Sequence, residues 1–215
     1  VTALSDVVAV QALEVWTSFA EQELQILQSR HAKVCLQVTL QALPALLPAL
    51  LEALSRAGGH GADEDDGLEV SNAAQSCLIA VARTVSDACV HKVAQFLEAN
   101  LRATAVRRRA AIVAFGAIQE GPAVQTLKPF IQPMLPTLLE AFRREDFPVA
   151  VAAAWALGRT LEWNPASVPD DAQVTLFEIC VERLRSDPRL FVEVCHCLDG
   201  LVEQQAATLP PEIFE

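Results

Sequence analysis

The line LPALLEAL, from Leu47 to Leu54, returns almost unchanged as LPTLLEAF, from Leu135 to Phe142. The offset is 135 − 47 = 88 residues. In both copies apolar residues recur three and four apart, the period of a helix with one buried face, and in both a proline stands inside that pattern. Each copy has another proline upstream, at Pro44 and Pro133. A proline within a helix removes one backbone N–H and crowds the carbonyl four residues back, which bends the axis. A bent outer helix lets one helical hairpin wrap around its neighbour. The leucines at helical spacing on either side predict that these prolines lie within helices and do not break them into loops.

A second echo sets the period. In AIVAFGAIQE (111–120), AAAWALGRTLE (152–162) and EVCHCLDGLVE (193–203), a run of small and apolar residues leads to a glycine and then to an acid. The glycines are Gly116, Gly158 and Gly200, spaced 42 and 42. A fixed period of this size marks a helical repeat array, in which each unit buries its face only by stacking on the next. Turn signals at EGP (120–122), NPASVPDD (164–171) and LPP (209–211) then divide the chain. Helices are predicted near 6–20, 31–56, 70–85, 89–103, 106–119, 124–143, 148–162, 171–185 and 188–205. They group into one array over 1–215: a partial repeat at 1–30 and repeats at 31–88, 89–122, 123–168 and 169–209, with a polar, acidic loop at 57–71.

Composition agrees with an all-α class. Hydrophobic residues are 52% and charged residues 20%, enough apolar material for a continuous core and too little charge for a disordered chain. Tyrosine is absent, the good helix formers Ala and Leu are the commonest residues, and Val is rarely arranged in period-two alternation. The formal charge, 16 − 27 = −11, disfavours nucleic acid and anionic membrane and favours basic partners. The six cysteines (35, 77, 89, 180, 195, 197) sit among Leu, Ile and Val, which reads as reduced, small core residues. Residues 34–51 are uncharged, but Gln37, Thr39, Gln41 and two prolines predict a helix buried in protein and no membrane insertion. No basic start followed by an apolar block opens the chain. A first residue Val1 and a single methionine, Met134, suggest a piece of something longer.

Helix pairs of about 40 residues with a proline-bent first helix are the pattern of HEAT repeats. The wording is more specific than the period. AFGAIQEGP (114–122), LKPFIQPMLPTLLE (127–140) and AAWALGRTLEWNP (153–165) resemble the central part of the importin-beta (karyopherin-beta) family of nuclear transport receptors. ALEVWTSFAEQE (12–23) before them and DPRLFVEVCHCL (187–198) after them extend the resemblance, in order, over nearly the whole chain.

That resemblance implies a right-handed α-solenoid (superhelix) of antiparallel helix pairs, HEAT/armadillo-like, with about 4–5 repeats. It also implies partners. The family's acidic loop engages Ran in its GTP state, and Asp63, Glu64, Asp65 and Asp66 of GGHGADEDDGLEVSN (58–72) match that run. Inner helices grip a basic cargo or the importin-alpha adaptor segment with tryptophans and acids. Trp155 matches one such tryptophan, Glu120 and Glu162 follow the repeat glycines, and Glu21 and Glu23 follow the first helix. Slots between outer helices would take Phe-Gly nucleoporins. A monomer shuttling between cytoplasm and nucleus through the nuclear pore is the expectation. The alternative is a HEAT scaffold of another pathway, such as a phosphatase scaffold. The chain departs from the family's pattern where Leu68 and His196 stand for tryptophans and where Ala150-Val151 stands for an Arg-Asp pair, which thins the aromatic grip to one clear member.

The sequence carries no recognisable catalytic constellation. Successive helical residues point about 100° apart, so Cys195, His196 and Cys197 do not converge on one ion, and no metal or cofactor is expected. Arg107-Arg108-Arg109 is short and lacks interleaved aromatics, which predicts a helix start instead of a nucleic-acid contact. No phosphate loop, nucleophile elbow or HExxH is present, and an enzyme is not expected.

Overall fold

A computed structural model describes residues 2–29, 34–56 and 64–208. Among these residues there are nine α-helices and no strand, an α-solenoid of stacked helix pairs. The chain forms two compact units, Val1–Leu127 and Lys128–Glu215. The first contains α1 (Thr2–Gln28), α2 (Val38–Leu54), α3 (Glu64–Val85), α4 (Val90–Asn100) and α5 (Ala105–Ala117). Helix α6 (Val124–Arg144) begins in the first unit and continues into the second, which adds α7 (Phe147–Trp163), α8 (Asp170–Ser186) and α9 (Phe191–Thr208).

The opening motif behaves as its periodicity predicts. In α2 the buried residues are Thr39, Leu43, Leu46, Leu47, Leu50, Leu51 and Leu54, one stripe at three- and four-residue spacing. Pro44 and Pro48 lie inside α2, and Pro129, Pro133 and Pro136 lie inside α6, so neither helix is broken into loops by its prolines.

In the first unit α3 is the central element, packing against α1, α2 and α5. Its fully buried Val70, Ala74, Cys77, Leu78 and Val81 explain why. Thr84 donates its hydroxyl proton to the carbonyl of Ala20 at 2.9 Å and ties α3 to α1. The turn after α5 is fastened to the end of α3. Gly121 has φ +110°, and a Cβ there would sit 2.5 Å from the Ala82 carbonyl oxygen, so only glycine fits. Beside it the Asp87 carboxylate accepts from the Ala123 amide at 2.8 Å and the Thr126 hydroxyl at 2.9 Å, satisfying the start of α6.

In the second unit α9 packs on both α7 and α8. Its approach to α7 depends on Gly200, where an added Cβ would lie 3.0 Å from the Leu161 Cβ. The last turn of α6 is closed by Arg183, whose guanidinium donates to the carbonyls of Arg143 and Glu145, each at 3.5 Å.

Three sequence expectations are corrected. Helix α2 starts at Val38, not near 31: Cys35 to Gln37 are not helical, because Gln37 adopts the left-handed conformation (φ 50°, ψ 46°) that turns the chain into the helix. Residues 30–33 lie outside the described ones. Helix α3 starts at Glu64, so Glu64, Asp65 and Asp66 belong to its first turn and the loop does not reach 71. Acidic residues suit a helix N-terminus, where backbone N–H groups point outward without partners. Gly67 is accommodated in that turn because a side chain there would meet the Arg56 carbonyl oxygen at 2.8 Å. Last, Cys195 is exposed and not a core residue, whereas Cys77, Cys89, Cys180 and Cys197 are buried.

The arginine run is absorbed by the fold, as a helix start should be. Arg107 makes a two-pronged contact with Glu52 at 2.9 and 3.1 Å. Arg109 donates to Ser71 Oγ at 3.2 Å, and burial pushes its pKa down.

Candidate partner-binding groove

The side chains singled out from the sequence have unlike fates. Glu23 is not a surface acid. It is 5% exposed and accepts hydrogen bonds from the backbone N–H groups of Val38 at 2.6 Å and Thr39 at 2.8 Å. Cys35 adds a thiol donor at 3.5 Å. Gln37, the residue preceding α2, offers no side-chain cap, and the carboxylate of α1 supplies it from across the packing interface. Burial pushes the Glu23 pKa up, but the bonds from Thr39, Val38 and Cys35 outweigh it and hold the carboxyl below its ordinary value. Contrary to the sequence expectation, Glu23 does not face a cargo surface, since its carboxylate caps α2 and it is almost wholly buried.

Glu21, two residues earlier on α1, is exposed. Glu120 is held by Arg83 at 2.7 Å, with the carboxylate side chain only 14% exposed. Both belong to the first unit. Of the acidic run, Asp63 lies outside the described residues, and for Glu64, Asp65 and Asp66 only the helical backbone is described.

Trp155 and Glu162 belong to the second unit and do share a site. They line a groove of about 400 Å³ with Gly158 and Arg159 on α7 and with His196, Asp199, Gly200 and Glu203 on α9. Helical spacing explains the membership. Positions 155, 158/159 and 162 form one stripe of α7, and 196, 199/200 and 203 form the matching stripe of α9. The two stripes are successive copies of the 42-residue echo, brought side by side by the direct packing of α7 on α9. Glycines at 158 and 200 keep the floor low, and the acids stand along its rim.

Sequence reasoning missed Asp199 and Glu203. The signal was present, because Glu203 follows its repeat glycine as Glu162 follows Gly158. Glu162 and Glu203 are exposed, as is Asp199. Arg159 Nη1 reaches Glu162 at 3.4 Å, and its guanidinium lies over the Trp163 ring, 5.4 Å from the centroid. His196 Nδ1 stands 3.7 Å from Glu193, whose pKa is pushed up by burial and pulled back by that histidine. Cys197, the residue after His196, turns inward and donates its thiol to the Ala154 carbonyl at 3.2 Å, opposite to exposed Cys195. Among the described residues no group of three His, Cys, Asp or Glu side chains is placed to hold a metal ion. No described helix is long and apolar enough to cross a membrane.

A second concavity, about 340 Å³, lies between α6 and α8. Leu135, Pro136, Leu139 and Ile179 give it an apolar floor, and Glu140, Arg143 and Asp171 stand at its edge. The repeated proline motif thus helps form a slot as well as a helix.

The family model described as "Stalled ribosome sensor GCN1-like, HEAT repeats" matches residues 32–190. The chain belongs to this HEAT-repeat family. Within HEAT-repeat proteins its likeness is to importin-beta, as the wording of the sequence suggested. It is 30% identical over 205 residues to importin subunit beta-1 of Schizosaccharomyces pombe, covering 91% of this chain and 24% of that protein. To importin subunit beta-1 of Saccharomyces cerevisiae it is 28% identical over 215 residues, covering 98% of this chain and 25% of the relative. Its HEAT array superposes on yeast importin-beta (Kap95p) with a TM-score of 0.85 at 25% identity, over 96% of this chain and 25% of that one. It likewise matches Kap95 in a complex with Nup1 (TM-score 0.80, 26% identity, 94% and 24% covered). Kap95p whose binding switches the loops of RanGDP to the GTP-bound conformation gives a TM-score of 0.81 at 25% identity, with 96% and 25% covered. The chain spans about a quarter of the length of these relatives.

Proposed function

We propose that this HEAT array is a segment of a nuclear transport receptor and that its α7–α9 groove holds a basic segment of cargo or of an importin-alpha-type adaptor. The observation that carries the reading is the meeting of Trp155 and Glu162 from α7 with Asp199 and Glu203 from α9 in one groove. An indole beside carboxylates suits an extended basic peptide. The ring takes a guanidinium face or an aliphatic lysine stem while the acids take the charge. The net charge of −11 would draw such a segment in and repel nucleic acid. The likeness to importin subunit beta-1 over nearly the whole chain supports the same reading.

Two further surfaces complete the proposal. The α6–α8 slot, apolar and edged by charge, would take a phenylalanine side chain of a Phe-Gly nucleoporin, a partner class commended by the Kap95 complex with Nup1. Asp63, Glu64, Asp65 and Asp66 would offer carboxylates to a basic face of Ran-GTP, commended by the complex of Kap95p with Ran. Glu21 and Glu120 would contribute to cargo binding from the first unit, Glu120 only after release from Arg83. The repeats proposed at 1–30, 31–88, 89–122, 123–168 and 169–209 supply these surfaces, and the place of action would be the cytoplasm, the nucleus and the pore between them.

The test is a titration of a fluorescent importin-alpha adaptor peptide into the full protein, followed by Ran loaded with GTP. Capture that Ran-GTP reverses, and that Trp155→Ala weakens about tenfold with helicity unchanged, is the expected result. Absence of capture at low salt would reject the transport reading. Capture indifferent to Trp155→Ala, Asp199→Asn and Glu203→Gln would remove the groove from it.

A further inference from the structure

One residue in the groove has the wrong sign for a site that receives cations. Arg159 lies on the groove wall, its side chain 15% exposed, with Nη1 3.4 Å from Glu162 and its guanidinium carbon 5.4 Å from the Trp163 centroid. Carboxylate on one side and indole face on the other is the arrangement proposed above for a partner's arginine. Resting on that reading, we infer that Arg159 is a built-in competitor. It occupies Glu162 and the Trp163 face in the free protein, and an incoming basic segment must displace it from Glu162 or do without that acid.

Geometry and charge favour this role over a purely structural one. Glu162 is the exposed member of the pair, at 56% against 15%, so the acid stands toward the partner while the arginine reaches it from within the wall. Because the Glu162 carboxylate is solvent-screened, this 3.4 Å contact by itself contributes little to folding. Of the groove's other carboxylates, Asp199 and Glu203 have no ion pair among the described residues and remain open to ligand. Three acids therefore line the groove but only two are available at rest. The consequence is selectivity: a segment with one or two suitably spaced basic residues binds at Asp199 and Glu203, and a third gains only what is left after Arg159 is displaced.

The experiment measures binding of the fluorescent adaptor peptide by anisotropy at several salt concentrations, using the parent protein, Arg159→Gln and Arg159→Lys. Arg159→Gln is expected to bind about three- to tenfold more tightly, with a steeper fall of affinity with salt, because one repulsive charge is gone and Glu162 is freed. Arg159→Lys keeps the charge and should gain less than twofold. Circular dichroism and thermal unfolding on all three proteins establish that α7 is intact. If the parent captures peptide and Arg159→Gln binds equally or more weakly, the competitor role is overturned while the transport reading stands. Equal tightening in Arg159→Lys would also overturn it, since loss of charge would not be the cause. If neither the parent nor Arg159→Gln binds, both proposals fall.

Discussion

Glu23→Ala should destabilise the first unit by about 2–4 kcal/mol, because a buried carboxylate caps another helix. The carboxylate accepts two backbone N–H groups of the first turn of α2, at 2.6 and 2.8 Å, and Thr39 is 0% exposed. A hydrogen bond to a charged group is worth about 1.5–3 kcal/mol, and an orphaned buried donor costs about 1–3 kcal/mol. Water entering beside Val38 after truncation offsets part of this, which gives the stated range. Glu23→Gln keeps one acceptor oxygen and should cost roughly half as much. The assay is urea and thermal unfolding followed by far-ultraviolet circular dichroism, with amide hydrogen exchange at Val38 and Thr39 reading the cap itself. A shift in midpoint temperature of about 10 °C for Glu23→Ala corresponds to the middle of the range. The pH dependence follows from the depressed carboxyl. Its stabilisation is fully present above the ordinary glutamate pKa of about 4.3 and is lost as pH falls through the lower folded value. Parent and Glu23→Gln should therefore converge in stability in acid. A loss under about 0.5 kcal/mol for Glu23→Ala, with unchanged exchange at Thr39, would refute the capping role.

Gly121→Ala should cost about 2 kcal/mol or more, read by thermal unfolding, because φ is +110° and the added carbon meets the Ala82 carbonyl at 2.5 Å. Asp87→Ala should cost about 1–2 kcal/mol, since two donors at the start of α6 lose their acceptor; Asp87→Asn should recover most of it. Arg107→Ala removes an exposed pair with Glu52 and should change stability by less than about 1 kcal/mol in urea titrations, the difference shrinking in salt. For Glu193 the sign runs the other way. Burial raises its folded pKa, so it favours the folded state below that value and opposes it as pH rises through it. Glu193→Gln should accordingly be relatively more stable than the parent at pH 7 than at pH 4, as a pair of melting curves would show.

Most of the architecture is legible in the chain because a repeat writes the same physics several times. The leucine stripe of α2 and its copy in α6, the 42-residue glycine spacing and the turn residues need only local geometry to interpret, and they yield the α-solenoid and nearly all its helices. Where reading stopped short, distant residues intervened. The start of α2 was misplaced because its cap is Glu23, on another helix and fifteen residues earlier, where no local capping pattern could show it. The same contact turned a supposed surface acid into a buried one. The start of α3 was misplaced because acids and a glycine look like loop, whereas the close approach to the Arg56 carbonyl makes that glycine part of a packed turn.

The groove divides in the same way. Trp155 and Glu162 were visible as members of one repeat, since a helix stripe is a one-dimensional property. Asp199, Glu203 and the inward-facing Arg159 became partners or competitors only when α9 packed on α7, across a floor lowered by Gly158 and Gly200. By itself the sequence determined which helices form and which face of each is buried, because those follow from spacing along one chain. The tertiary structure alone decided which charges meet, because a side chain's neighbours in space are set by how helices some forty residues apart are stacked.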